Sequence, residues 1–210
     1  MLHHLVSHPR EETPSPFPCL VLLHGRGSNE QDLFGLVPEL PKRNIVVSAR
    51  APYPFSFGGF YWYELGEQPA RPDVATLNSS LDEVRSFLGE LPARYGVDPA
   101  RTWLLGFSQG ALMTGSLLLT SPSLVAGGVM LSGYLPPELD IDQPAVAGKP
   151  MFQAHGAYDN VLSVTLGRQA RLRLEELGVD LTYHEYPMDH QVVLEELHDL
   201  NVWFEAQGLI

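Results

Sequence analysis

The sequence is poor in cysteine and in basic residues, and each shortage excludes a class of function. Its 210 residues include one cysteine, Cys19, which lies in an apolar run and has no partner for a disulfide within the chain. A lone thiol of this kind is typical of inert core rather than of redox or nucleophilic chemistry. Thirteen Lys and Arg against 25 Asp and Glu give a formal net charge of −12, which disfavours nucleic acid and anionic membranes as partners.

Long hydrophobic runs and metal-binding motifs are missing as well. No apolar stretch approaches the length of a membrane span, and the N-terminus lacks the basic and apolar regions of a secretory signal. We therefore expect a cytoplasmic protein without stable membrane anchoring. Eight histidines are present, but there is no His-Glu-x-x-His and no cysteine pair, so we predict that the site holds no metal ion.

Short apolar runs alternate with helix-like stretches along most of the chain, which predicts an α/β fold. Strands covered on both faces and linked by helices form a mostly parallel sheet with helices on both sides. The chain length predicts a single domain, 1–210. The strand-like runs are Cys19–His24, Asn44–Ser48, Thr102–Gly106, Gly127–Leu131, Pro150–His155 and Leu181–Tyr186.

Helical spacing of leucine and valine marks several connecting stretches. Thr76 is predicted to cap a helix that Pro92 ends, Gly178 follows a second helix, and Gly208 follows the last. The N-terminal segment is predicted to be a loose terminus that carries three histidines, His3, His4 and His8.

Residues 50–73 show no clear periodicity and are rich in aromatic side chains. A loop of this length is usually functional or disordered, and aromatic residues disfavour disorder. Two compatible interpretations remain open, a satellite of the core and a wall of a substrate pocket. We name Phe60 and Trp62 in this loop, together with Tyr134, as candidate substrate-binding residues.

Ser108 is the candidate nucleophile, at the centre of Gly106-Phe107-Ser108-Gln109-Gly110. An apolar strand-like run precedes this motif and a stretch of small and aliphatic residues follows it. A Gly-x-Ser-x-Gly between strand and helix forms a sharp turn that exposes the hydroxyl group, and the glycines avoid collisions with neighbouring elements.

A nucleophilic serine needs a base and a group that orients the base. In an open parallel sheet such groups lie on loops at the carboxyl ends of strands. The loop after Pro150–His155 contains Asp159, and the loop after Leu181–Tyr186 contains His190. The chain order Ser108, Asp159, His190 is that of an α/β-hydrolase, so His190 is the predicted base and Asp159 its orienting acid.

Rival acids and bases have less favourable positions. Asp189 is the immediate sequence neighbour of His190, which is a poor position from which to orient its ring. Two other rival acids lie in a proline-rich loop, Asp140 and Asp142. Three rival bases lie in predicted strands or helices, namely His155, His184 and His198. Of these, His155 is interpreted as a structural polar residue.

A glycine-rich turn follows the first predicted strand, in Leu22-Leu23-His24-Gly25-Arg26-Gly27-Ser28-Asn29. Acyl transfer places negative charge on the carbonyl oxygen, which two backbone N–H groups stabilise. The predicted donors are the N–H groups of Arg26 and Gln109. A phosphate cradle is the competing interpretation, but no Gly-Lys-Ser/Thr follows the turn.

With these residues in place, the chain resembles the small carboxylesterase/phospholipase group of α/β-hydrolases, which includes the acyl-protein thioesterases. The resemblance covers nearly the whole length. It implies the same triad and oxyanion donors, no cofactor, and little or no cap domain. It rests on five blocks in order, Leu23-His24-Gly25-Arg26-Gly27, Gly106-Phe107-Ser108-Gln109-Gly110-Ala111, Leu131-Ser132-Gly133-Tyr134, His155-Gly156-Ala157-Tyr158-Asp159, and His190 before Glu195-Glu196.

Three places depart from the pattern of that group, although none removes a catalytic atom. Asp189 stands where a glycine usually precedes the base. Asn160 begins a segment where an apolar β-branched or proline-containing run usually follows the acid. Ser28-Asn29-Glu30 replaces the Gly-Asp or Gly-Gly pair often found after the first glycine turn.

The predicted function is that of a serine hydrolase that cleaves carboxylic esters or thioesters through an acyl-enzyme. Without a large cap the site should be an open groove, which favours small-molecule substrates with short or medium acyl chains. A homodimer stays open. The alternatives are a catalytically silent hydrolase fold that serves as a binding or dimerising module, and a peptidase on the same scaffold.

Overall fold

A mostly parallel sheet organises the part of the chain that the computed structural model describes, which is residues 1–66, 71–137, 139, 141 and 143–209. The strands within these residues are β1 (His4–Ser7), β2 (Phe17–Leu23), β3 (Ile45–Ala49), β4 (Tyr53–Pro54), β5 (Phe60–Tyr61), β6 (Val97–Phe107), β7 (Gly127–Leu131), β8 (Pro150–Gly156) and β9 (Asp180–Tyr186). Seven of them pair in the order β1-β3-β2-β6-β7-β8-β9, and in this sheet β1 alone runs antiparallel to its neighbour.

Helices cover both faces of the sheet. The α-helices are α1 (Val74–Tyr95), α2 (Gln109–Thr120), α3 (Gln143–Val146), α4 (Val164–Glu176) and α5 (Leu194–Ala206), and two short 3₁₀ helices span Leu33–Glu39 and Pro122–Leu124. None of the helices in the described ranges is long and apolar enough to cross a membrane. The predicted α/β architecture, a mostly parallel sheet with helices on both faces, is confirmed, and the described residues contain no large cap domain.

The alternation of side chains along β2 explains why both faces need cover. Cys19, Val21 and Leu23 point into a core shared with α1, α2 and α4, whereas Leu20 and Leu22 point into a second core. That second core is shared with α5 and the 3₁₀ helix Leu33–Glu39. All five β2 residues are fully buried. A strand with two covered faces reads as a continuous apolar run, which is why it was identifiable from sequence.

The prediction of a loose N-terminus is wrong. Residues His4–Ser7 form β1, which pairs antiparallel with β3 at the edge of the sheet. The ring of His4 also bonds the Tyr95 hydroxyl at 2.7 Å through its Nε2 atom. Four residues with two apolar side chains give no clear periodicity, so the pairing depends on the tertiary partner rather than on a local signal.

The predicted limits of the first long helix are also wrong at both ends. Asp73, not Thr76, is the N-cap, and its carboxylate accepts a hydrogen bond of 2.8 Å from the Thr76 N–H. Pro92 lies inside the last turn instead of ending the helix, which continues to Tyr95. A proline so near the end removes one backbone hydrogen bond, and the left-handed residue Gly96 then closes the helix.

Part of the aromatic loop forms a hairpin that packs on the glycine-rich turn after β2. Strands β4 and β5 pair antiparallel, and Phe60 exchanges backbone hydrogen bonds with Gly27 and Ser28 at 2.8 and 2.7 Å. Gly59 has φ +77°, and a Cβ atom there would overlap with the carbonyl group of Gly27. The hairpin therefore fixes the turn from outside. Residues 67–70 of this loop, and the rival acids Asp140 and Asp142, lie outside the described residues.

Glu196, in the first turn of α5, is a carboxyl group buried among apolar side chains. The residue is fully buried, and neither carboxyl oxygen has a hydrogen-bond partner of good geometry in the described structure. Burial raises the pKa of Glu196 to about 8, and the nearby Val193 N–H opposes this only in part. The folded protein therefore holds this group in its neutral form near pH 7.

We expect Glu196→Gln to stabilise the protein at alkaline pH. The folded pKa lies above the unfolded value, so the wild-type free energy of unfolding falls as the pH rises from about 4.5 to about 8. The neutral amide avoids this loss, and the variant should exceed the wild type by on the order of 1–3 kcal/mol at pH 9. Urea unfolding at pH 5 and pH 9 measures the difference, and a gap that does not widen with pH contradicts the assignment.

Candidate active site

The turn between β6 and α2 presents Ser108 in a conformation that few residues adopt. Its φ of 55° and ψ of −114° lie outside the regions favoured by side-chain-bearing residues. The Ser108 N–H bonds the Leu131 carbonyl at 2.9 Å, which holds the turn against β7. Cβ atoms at Gly106 and Gly110 would overlap with the backbone of α2 and of β2, respectively. The glycines of the motif therefore permit the close approach that lifts the hydroxyl group from the sheet.

Ser108, His190 and Asp159 form one line of hydrogen bonds. The Ser108 Oγ atom lies 2.9 Å from Nε2 of His190, and Nδ1 of His190 lies 2.7 Å from Oδ2 of Asp159. A carboxylate accepts hydrogen bonds, so the Nδ1–H donates to Asp159 and leaves Nε2 free to accept from the hydroxyl group. This is the tautomer that a general base requires.

The Asp159 carboxylate is held by its own loop. Its Oδ1 atom accepts hydrogen bonds from the backbone N–H groups of Val161 and Leu162, at 2.9 and 2.7 Å. The side chain is fully buried, whereas that of His190 is 14% exposed. His155, which the sequence suggested as structural, donates through Nε2 to the Leu162 carbonyl at 2.8 Å. These contacts hold the Asp159 carboxylate in place.

The rival residues have other partners. Asp189 does not contact the His190 ring, because its carboxylate accepts from the His190 backbone N–H and from Asn160. His184 stacks on Phe152 with ring centroids 5.3 Å apart, on the face covered by α5. None of these arrangements offers a second base to Ser108.

The two predicted oxyanion donors have free backbone N–H groups. Within the described residues neither the Arg26 nor the Gln109 N–H donates a hydrogen bond, although the adjacent Gly27 N–H bonds Phe60. A Cβ atom at Gly25 would lie 3.4 Å from the Cβ of Ser108, which shows how closely the glycine-rich turn approaches Ser108. The Arg26 guanidinium stacks on the Phe55 ring, 4.5 Å from its centroid.

The buried Gln109 side chain connects the nucleophile turn with the aromatic loop. Its Oε1 atom accepts from the Trp62 N–H at 3.0 Å, and its Nε2 donates to the Tyr63 carbonyl at 2.8 Å. Trp62 in turn donates through its indole N–H to the His24 carbonyl at 2.9 Å. His24 bonds the Ala51 N–H through Nε2, and burial lowers its pKa, which favours the neutral ring that this bond needs. The network connects the turn that carries Ser108 with the glycine-rich turn and the aromatic loop.

The three predicted substrate-binding residues do not line the cleft beside His190. Trp62 is fully buried within the network just described, and Tyr134 is 4% exposed. Phe60 is half-buried beneath the Arg50 guanidinium, which lies 4.5 Å from its ring centroid. Of the two interpretations of the aromatic loop, these positions favour the satellite of the core.

A cleft of about 230 Å³ lies directly beside His190 and contains residues that the sequence had not indicated. Its apolar wall comes from the 3₁₀ helix after the glycine-rich turn and from the loop before α5. Helical residues that pack a core look the same in sequence as residues that line a cleft, so no local signal marked them. The lining residues are Asp32, Leu33, Leu36, Phe107, His190, Gln191 and Val192.

Comparison with known proteins places the chain in a family. Residues 6–206 match the Phospholipase/Carboxylesterase family. Lysophospholipase-like protein 1 of Mus musculus is 33% identical over 201 residues, or 88% of this chain and 84% of the mouse protein. A probable carboxylesterase of Oryza sativa is 26% identical over 152 residues, 69% of this chain but 57% of its own length. The Bacillus cereus carboxylesterase structure superposes with a TM-score of 0.88 at 25% identity, over 98% of this chain and 94% of that chain.

A mostly parallel sheet with a serine on the turn after β6 defines the α/β-hydrolase class. Within that class the chain belongs to the Phospholipase/Carboxylesterase family. The protein is thus a carboxylic ester hydrolase.

Substitution of Gly59 tests whether the hairpin fixes the glycine-rich turn. We expect Gly59→Ala to lower kcat/KM for a small ester at least about tenfold, because the new methyl group would displace Gly27 and the adjacent Arg26 N–H. Gly58→Ala is the matched control, since Gly58 also has a positive φ, of 98°, but open space around its Cβ position. Equal activity of the two variants in an ester hydrolysis assay would contradict this role.

Proposed function

We propose that the protein is a serine esterase that cleaves small carboxylic esters or thioesters through an acyl-enzyme. The observation that carries the proposal is the line of hydrogen bonds from the Ser108 hydroxyl group through His190 to Asp159. The N–H groups of Arg26 and Gln109 are proposed as the oxyanion hole. The cytoplasmic location, the absence of a cofactor and the single domain stay predictions from the sequence.

In the first half of the reaction, Nε2 of His190 takes the Ser108 proton while Oγ attacks the carbonyl carbon. The resulting imidazolium is stabilised by the Asp159 carboxylate through Nδ1. The tetrahedral intermediate collapses when Nε2 returns the proton to the leaving oxygen or sulfur, which departs as an alcohol or thiol. Water then attacks the acyl-enzyme by the same route, and its proton passes through His190 back to Ser108.

The cleft beside His190 is the proposed site of the leaving group. The departing oxygen must lie within reach of Nε2 to receive its proton, so its substituent extends on the His190 side of the reacting carbonyl. Leu33, Leu36 and Val192 give that side an apolar wall, and about 230 Å³ is room for a short alkyl or aryl group. Small esters with apolar leaving groups fit this space.

Two alternatives share most of these features. A silent binding module would need an interrupted line of hydrogen bonds, and the distances at Ser108 and Asp159 are ordinary for a working triad. A peptidase would use the same residues on a poorer leaving group, an amine. The names of the relatives reported above, carboxylesterase and lysophospholipase, favour ester cleavage.

Removal of the Ser108 hydroxyl group tests the proposal. We expect Ser108→Ala to lose labelling by a fluorophosphonate probe and to lower turnover of p-nitrophenyl acetate at least about a thousandfold. Ser79→Ala, at an exposed position on α1, is the control and should retain both activities. A wild-type protein that is inert to the probe and to the ester would support the silent module instead.

Leu36→Trp tests the assignment of the cleft. The larger side chain should fill the space and lower kcat/KM about tenfold for butyl acetate relative to methyl acetate, because both substrates share the same acyl group. Leu172→Trp, at an exposed position on α4, should not change this ratio. An effect of equal size on both esters would place the leaving group elsewhere.

A further inference from the structure

Asp189 joins the two loops that carry the acid and the base of the site. Its Oδ1 atom accepts from the Asn160 backbone N–H at 3.0 Å, and its Oδ2 atom accepts from the Asn160 side-chain amide at 2.8 Å. Oδ1 also accepts from the backbone N–H of His190 at 2.9 Å. Asn160 directly follows Asp159, and Asp189 directly precedes His190. One carboxylate thus bonds to a sequence neighbour of the acid and to the base itself.

These bonds extend a row of backbone hydrogen bonds that joins the two loops beyond the ends of β8 and β9. The Ala157 N–H bonds the Tyr186 carbonyl at 2.8 Å, and the Tyr158 N–H bonds the Met188 carbonyl at 3.1 Å. A Cβ atom at Gly156 would overlap with the Met188 and Asp189 carbonyl groups, so the loops are in close contact there. Past this point the described backbone atoms of the two loops share no further hydrogen bond with each other. The Asp189 side chain supplies the next hydrogen bonds between the loops.

The Asp189 carboxylate is exposed to solvent, but its donors distinguish it from an ordinary surface pair. Two of its three donors are backbone N–H groups, which lose no side-chain entropy when they bind. The N–H groups of Asn160 and His190 lower the pKa of Asp189, so the group is ionised at neutral pH and its hydrogen bonds are charge-assisted.

We propose that Asp189 and Asn160 are positioning residues, which hold the acid loop against the base loop and so maintain the Asp159–His190 hydrogen bond. The inference rests on the triad proposed above. The bond in question is 2.7 Å long, and its two side chains come from loops at the ends of different strands. A shift of either loop would lengthen it and turn the imidazole away from Ser108. Neither positioning residue touches the reacting atoms, so the pair acts through His190.

The single variants Asp189→Asn and Asn160→Asp test the pair with nearly isosteric changes. Asp189→Asn weakens the charge-assisted bonds, and Asn160→Asp places two carboxylates against each other. Each should lower kcat for p-nitrophenyl acetate about tenfold with little change in KM, the loss expected for one charge-assisted hydrogen bond. Asp180→Asn, which removes an exposed carboxylate elsewhere, is the control for net charge and should leave kcat unchanged.

The double variant Asn160→Asp/Asp189→Asn provides the rescue. With the two groups exchanged, the amide at position 189 accepts from the backbone N–H of residue 160 and donates to the new carboxylate. We expect kcat to recover to within about threefold of the wild type. A general loss of stability would not be reversed in this way, and thermal unfolding of each variant checks that all are folded at the assay temperature.

The result that overturns the inference is full kcat in both single variants, or a double variant no more active than the worse single. If Asn160→Asp fails to fold, Asn160→Ala and Asp189→Ala replace it in a double-mutant cycle, in which additive losses of kcat contradict the pair. A wild type that is inert to fluorophosphonate and to esters would refute the proposed function itself. An active wild type with unaffected variants refutes the pair alone.

Discussion

The approach of α2 to the carboxyl end of β2 is the constraint on which the site depends. Gly110 lies so close to the Leu23 carbonyl that no side chain fits there, and Gly106 lies as close to Gly110. This proximity brings the N-terminus of α2, with the Gln109 N–H, beside the glycine-rich turn. The turn between β6 and α2 must therefore be tight, and Ser108 takes its unusual backbone angles because of this. A wider turn would lower the hydroxyl group into the sheet.

The order of the strands assembles the rest of the site around that turn. Strands β6, β7, β8 and β9 are successive neighbours, so the loops after β8 and β9 lie at the same edge of the sheet as Ser108. Asp159 and His190 therefore approach each other although 31 residues separate them. The proposed oxyanion hole is supported from β2 and from the aromatic loop, through hydrogen bonds that join Gln109, Trp62 and His24. The proposed oxyanion donors are thus supported separately from the joined loops that carry Asp159 and His190.

The sequence allowed the sheet and the line from Ser108 to Asp159 to be predicted because these features leave local marks. Buried strands appear in the sequence as apolar runs, and the candidate catalytic residues follow them at the strand ends. The antiparallel strand His4–Ser7 and the cleft around Leu36 left no such mark. Each depends on partners far away in the chain, Val47 for the strand and His190 for the cleft. Composition marks the aromatic loop but does not indicate that Trp62 is buried.

One consequence concerns the lone thiol. Cys19 lies in the interior of β2, fully buried between neighbours on both sides, and burial raises its pKa well above the ordinary value. Reagents that alkylate cysteine need an accessible thiolate, so the native state shields this atom completely. Its modification must await the displacement of the helices that cover this face of the sheet. The modification of Cys19 by a thiol reagent therefore reports the large-scale opening of the native structure, and no label has to be introduced.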